Sequence, residues 1–171
     1  MREYQAALAL EPDSPAWLRE LATLQSQAGR HREAAAGLAK AAGLRPGDAS
    51  LQQGVAFELD KAGDAPSAQA AYRKALAADP GSASTRALLA DLLYRDGRTE
   101  DALALVREGL ARDPKAAGLQ RDLGSLLERA GRTEEAVRAY REYARLAPSA
   151  ADAASIAERA QILEGAAVAS N

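Results

Sequence analysis

The feature that most limits what this chain can become is a period. Prolines stand at Pro12, Pro46, Pro80, Pro114 and Pro148, each 34 residues after the last. Gly29, Gly63, Gly97 and Gly131 keep the same interval, and so do Ala34, Ala68, Ala102 and Ala136. Three columns in one register are not a chance coincidence. A 34-residue unit holds two helices and two turns but no core of its own, so it must bury its apolar face against its neighbours.

The clearest copy is residues 117–148. Leu119, Leu123, Leu126 and Ala130 recur at the spacing of one helix face, and Gly131 follows as the stop. Val137, Tyr140 and Ala144 begin a second stripe, and Pro148 closes the unit because proline cannot continue a helix that needs its backbone donor. Applied along the chain, this pattern predicts the helix pairs 15–28 with 31–43, 49–62 with 65–78, 83–96 with 99–112, and 117–130 with 133–145.

Local signals agree with these bounds. Ser14, Asp48 and Ser82 stand where N-caps are needed, whereas the helix from Ala117 has no capping side chain. Pro15 and Pro66 fall in first turns, where the missing donor costs nothing. Thr99 and Thr133 are read as capping hydroxyls, with Glu100, Asp101, Glu134 and Glu135 at the positive helix ends. Trp17 heads the stripe Trp17, Leu21, Leu24, Ala28 and is expected to pack in the core on the preceding helix.

This pattern resembles the tetratricopeptide repeat family. Its leucine column holds Leu21, Val55, Leu89 and Leu123, and the small column beside it holds Ala22, Ala56, Ala90 and Gly124. The alanine column of the second helix is invariant within the chain, and the large residue four positions later is Leu38, Tyr72, Val106 or Tyr140. Departures lie in the two aromatic columns, occupied by Leu18, Gln52, Arg86 and Gln120, and by Gln25, Leu59, Leu93 and Leu127. The resemblance implies an all-α, right-handed solenoid of stacked antiparallel helix hairpins.

In this register residues 1–12 are the second helix of a truncated N-terminal repeat, with Tyr4 in the column of Leu38. Four repeats occupy 15–148, a capping helix with Ile156, Ala160 and Leu163 on its apolar stripe occupies 149–165, and 166–171 is a frayed tail. The start in mid-repeat is expected to reflect a boundary inside a longer protein. The two ends are complementary halves of one repeat, which raises head-to-tail self-association as an expectation.

Composition narrows the function. There is no cysteine and one histidine, so thiol chemistry, disulfides and Cys/His metal clusters have no carriers. His31 is read as a structural turn residue. With a formal net charge of −2, the chain lacks the basic footprint of a nucleic-acid binder. No run of about 18 apolar residues marks a membrane span. Eighteen arginines against four lysines, with abundant alanine, suit a GC-rich bacterial gene. Phosphate loops, HExxH and nucleophile elbows are absent from the sequence, so the expectation is a protein that is not an enzyme and holds no cofactor or metal. Acids such as Glu134 and Glu142 are expected to pair with Arg138 on a solvated helix face.

What the resemblance implies instead is a scaffold whose first helices line a concave groove that holds a protein or peptide partner. In that register the groove positions are Arg19, Gln53, Phe57, Asp91, Tyr94 and Arg121. Phe57 stands out because its column otherwise holds Thr23, Asp91, Ser125 and Arg159. The lysine and asparagine set with which some family members clamp a terminal carboxylate is missing. Two alternatives stay open: a self-assembling structural unit, and the scaffold arm of a larger bacterial enzyme or secretion and assembly machine.

Overall fold

The structure, a computed structural model, describes residues 2–169. Its helices are α1 (Arg2–Leu10), α2 (Pro15–Gln27), α3 (His31–Leu44), α4 (Ala49–Lys61), α5 (Ala65–Ala78), α6 (Ala83–Arg95), α7 (Thr99–Arg112), α8 (Ala117–Arg129), α9 (Thr133–Leu146) and α10 (Ala153–Ala169). Helices α2 to α9 are the four expected pairs, with every end within one residue of its predicted place. No described helix is long and apolar enough to cross a membrane.

Each hairpin turn is built on the periodic glycine. Gly29, Gly63, Gly97 and Gly131 have φ between 71° and 79°, a left-handed conformation that costs a side-chain-bearing residue about 1–2 kcal/mol. The amide of the next residue then bonds back across the turn: Arg30 N donates to Gln25 O at 2.8 Å, and Arg132 N to Leu127 O at 2.8 Å. That same residue accepts the first bond of the second helix, as Ala34 N donates to Arg30 O at 3.0 Å. One residue thus ends one helix and begins the next.

This economy corrects the expected caps. The N-cap positions of α7 and α9 are Arg98 and Arg132, not Thr99 and Thr133, and neither arginine side chain caps its helix. Each guanidinium instead bonds an acid three residues on, Arg98 to Asp101 and Arg132 to Glu135. Asp64 does cap α5, accepting from Ser67 N at 3.2 Å. Asp48 and Ser82 cap as expected, accepting from Leu51 N and Thr85 N at 3.3 Å each. Ser14 occupies the N-cap of α2 without a side-chain bond. Arg138 pairs with neither Glu134 nor Glu142; Glu142 is held by Arg145, three residues away.

The chain divides into two units at Thr85 and Arg86. In the first, Leu18, Ala41, Ala42 and Leu51 form a buried cluster flanked by Leu8 and Leu38, so α1 to α4 share one core. Ala34 and Ala68 are wholly buried. Trp17 does pack on the preceding helix, its ring 5.8 Å from that of Tyr4, but it is 37% exposed and donates to Glu11 at 3.3 Å. The expectation of a core tryptophan fails because Leu18, Ala22 and Gln25 are the buried residues of α2.

In the second unit Ala102, Leu103, Val106 and Ala136 are wholly buried, and Leu126, Leu127, Tyr140 and Ala160 nearly so. A first helix is covered on two sides, and its buried arc is therefore wider than one stripe: on α8 Leu127 is buried while Leu123 is only half-buried. Gly124 belongs to that arc, since a Cβ there would lie 2.4 Å from the Tyr140 ring. α10 starts at Ala153 and runs through Gly165 to Ala169, past the expected end at 165. A glycine inside a helix costs only about 0.5–1 kcal/mol relative to alanine, and the Ala-Ala-Val-Ala that follows favours helix. Position 170, where the register calls for alanine, lies outside the described residues, as does Asn171.

Candidate interaction face

The residues singled out on the first helices turn out to be bonded mostly to the next first helix. In the first unit Arg19 on α2 reaches Asp48 and Ser50 at the start of α4, both at 3.3 Å. Gln53 on α4 donates to Ser84 in the first turn of α6 at 3.3 Å. Phe57 differs. It is 40% exposed, and the contact on its ring is the Lys61 ammonium, 5.4 Å from the centroid. A large apolar ring that is 40% exposed beside a cation keeps part of its face open to a further contact.

In the second unit Asp91 on α6 accepts from Arg95 and from Arg129 of α8, each at 2.8 Å. Burial opposes this charge, yet the two guanidiniums hold the Asp91 carboxyl below its usual range. Tyr94 donates to the Arg129 carbonyl at 2.8 Å, and the Arg129 guanidinium lies 4.0 Å from its ring centre. Arg121 on α8 donates to Asp152 before α10 at 3.1 Å. Arg159 on α10 pairs with Glu128 of α8, which also accepts from Tyr140 at 2.8 Å. Arg159 first and Tyr140 second draw the Glu128 carboxyl below its usual range.

Between α6 and α8 these links leave a cavity of about 260 Å³, lined by Ala87, Leu88, Asp91, Asp122, Ser125, Leu126 and Arg129. Like Arg129, Asp122 is a lining residue that sequence reasoning missed. Its signal was present: it stands 34 residues after Leu88, a carboxylate in a column where the preceding repeat is apolar. Its nearest cation is Arg121 Nη2, 3.6 Å away, outside hydrogen-bond distance. Burial pushes the Asp122 carboxyl up, against the weaker pull of Arg121.

His31 Nδ1 lies 2.8 Å from the buried Glu58, joining α3 to α4 in the first unit. Among the described residues no three His, Cys, Asp or Glu side chains converge to hold a metal. A cleft of about 330 Å³ between α9 and α10 is lined by Thr133, Glu134, Val137, Arg138, Arg141, Glu164 and Ala167, and the Arg141–Glu164 pair at 2.5 Å spans it.

Antiparallel hairpins of constant length, joined first helix to first helix by polar links, define a helical-repeat protein. Residues 61–123 and 122–149 each match the sequence profile of the tetratricopeptide repeat. Together these matches span more than half of the chain, which belongs to the tetratricopeptide repeat family. No curated protein sequence matches it. Its structure is similar to the crystal structure of MamA, with 19% identity, 85% of each chain covered and a TM-score of 0.73. It is similar too to TTC0263, a thermophilic repeat protein of Thermus thermophilus, with 19% identity over 93% of this chain and 87% of that one and a TM-score of 0.70. YrrB, described as having an unusual peptide-binding site, matches with 18% identity over 95% of this chain and 84% of that one at a TM-score of 0.63. At these identities the likeness is one of fold.

Proposed function

We propose that this chain is a non-catalytic protein-interaction scaffold whose first-helix face holds a peptide or extended segment of a partner. The observation that carries the reading is Phe57, a 40% exposed ring in a column of otherwise small or polar residues. The other repeats fold with polar residues in this column, and a partly exposed ring at a protein surface is a usual anchor of an interface. The apolar-walled cavity in the second unit supports the same reading, as does the likeness to a family member with a peptide-binding site. Arg19, Gln53, Asp91, Tyr94 and Arg121 then serve mainly as positioning residues, since each is already bonded within its own unit.

The test is selection of a random peptide library on the immobilised full chain, followed by affinity measurements. Phe57→Ala weakens the selected peptides by more than about 1 kcal/mol with helicity unchanged, and Arg138→Ala on a second helix does not. Equal affinities for the two variants move the site off this face. Head-to-tail self-association is the weaker reading, because the α9–α10 cleft is charged and already spanned by its own ion pair.

A further inference from the structure

The cavity between α6 and α8 has a chemical character that narrows the partner. Its walls at Ala87, Leu88 and Leu126 are apolar, and two carboxylates reach it. They are not equivalent. Both Asp91 oxygens are taken, Oδ1 by Arg129 and Oδ2 by Arg95, each at 2.8 Å. Asp122 has no cation within hydrogen-bond distance, because Arg121 is drawn away to Asp152 at 3.1 Å and leans on the Tyr143 ring, 5.9 Å from its centre. The Asp122 side chain is 27% exposed, and the cavity it lines gives a ligand access to it.

A carboxylate that has lost most of its water and is held only by one long ion pair, to Arg121 at 3.6 Å, is a costly group to keep in a folded protein. It becomes favourable once a cation reaches it. The ligand that suits apolar walls leading to one loosely paired carboxylate is a long apolar stem with a positive tip. An ammonium, compact and rotatable, needs one acceptor, and Asp122 Oδ2 supplies it, whereas a guanidinium seeks a planar pair of oxygens, and Arg121 already faces Asp122 Oδ1 at 3.6 Å. We propose that the α6–α8 cavity is a lysine pocket, in which Ala87, Leu88 and Leu126 hold the stem and Asp122 receives the ammonium of a partner segment. This rests on the proposal that the first-helix face binds such a segment and specifies one of its residues.

The experiment uses the full chain and the peptides that a random library yields on it. The enriched sequences share a lysine, and its replacement by norleucine weakens binding by about tenfold or more, the scale of a hydrogen bond to a charged group. On Asp122→Asn, whose fold is checked by its circular-dichroism melt, the same replacement has little effect. Ala87→Leu, at a half-buried position, fills the cavity from the α6 side and lowers lysine-peptide affinity by a similar factor. Enriched peptides without a shared lysine, a shared arginine instead, or a norleucine penalty as large on Asp122→Asn as on the parent overturns the pocket and leaves the scaffold reading standing. Failure of any peptide to bind sinks both.

Discussion

Asp122 shows how a single side chain can carry opposite consequences for folding and for binding. Burial raises its carboxyl above the unfolded value, so the folded state is penalised wherever the group is ionised and relieved as pH falls through its folded pKa. Asp122→Asn therefore melts at the same temperature as the parent or higher at neutral pH, and the difference shrinks as pH falls into the carboxylate range. A variant several degrees less stable at pH 7 would mean that Asp122 has a stabilising partner. Glu128 and Asp152 act with the other sign. Their carboxyls are held below the usual range, Glu128 by Arg159 and Tyr140, Asp152 by Tyr143 and then Arg121, so what they contribute is present above the unfolded pKa and lost as pH falls. The sequence placed Arg19, Gln53, Asp91, Tyr94 and Arg121 on the right helices but not their bonding, because a repeat column says which face a residue occupies and not how far its side chain reaches. Phe57 was legible for the opposite reason: nothing polar on it demanded a partner.

At the scale of the helix, the period set every boundary of α2 to α9, since glycine and proline act through the backbone and need no tertiary context. The caps were harder to read. The residue after each turn glycine closes one helix and opens the next, which shifts the N-cap one place ahead of Thr99 and Thr133. Two glycines inside helices separate packing from propensity. A methyl at Gly124 meets the rigid Tyr140 ring at 2.4 Å, and Gly124→Ala is expected to cost about 1–3 kcal/mol by overpacking. At Gly54 the nearest atom is the mobile end of Leu38, 3.2 Å away, so Gly54→Ala is expected to be neutral or to gain up to about 1 kcal/mol from helix propensity. Urea melts of the two variants check this; equal effects would mean that the α8–α9 crossing is looser than the ring contact implies.

In both units the core is built largely from alanine and leucine. Aromatics are only 4% of the chain, and the invariant alanines Ala34, Ala68, Ala102 and Ala136 are all fully buried. Small side chains there let paired helices approach closely, which leaves no space for growth. Ala102→Leu is expected to destabilise by about 1–3 kcal/mol, and a melt equal to the parent's would contradict this packing. The same repetition concentrates polar links and the two features left open, Phe57 and the α6–α8 cavity, on the first helices. The central claim is that this face receives the partner. Amide chemical shifts recorded while a library-selected peptide is titrated into the full chain test it most directly. The account predicts saturable shifts on first helices, around Phe57 for peptides that need that ring and around Leu88, Asp122 and Leu126 for peptides that carry the lysine, with Arg138 and the outer residues of α9 unmoved. Shifts confined to the second helices, with Phe57 and Leu126 unchanged at saturation, would contradict it.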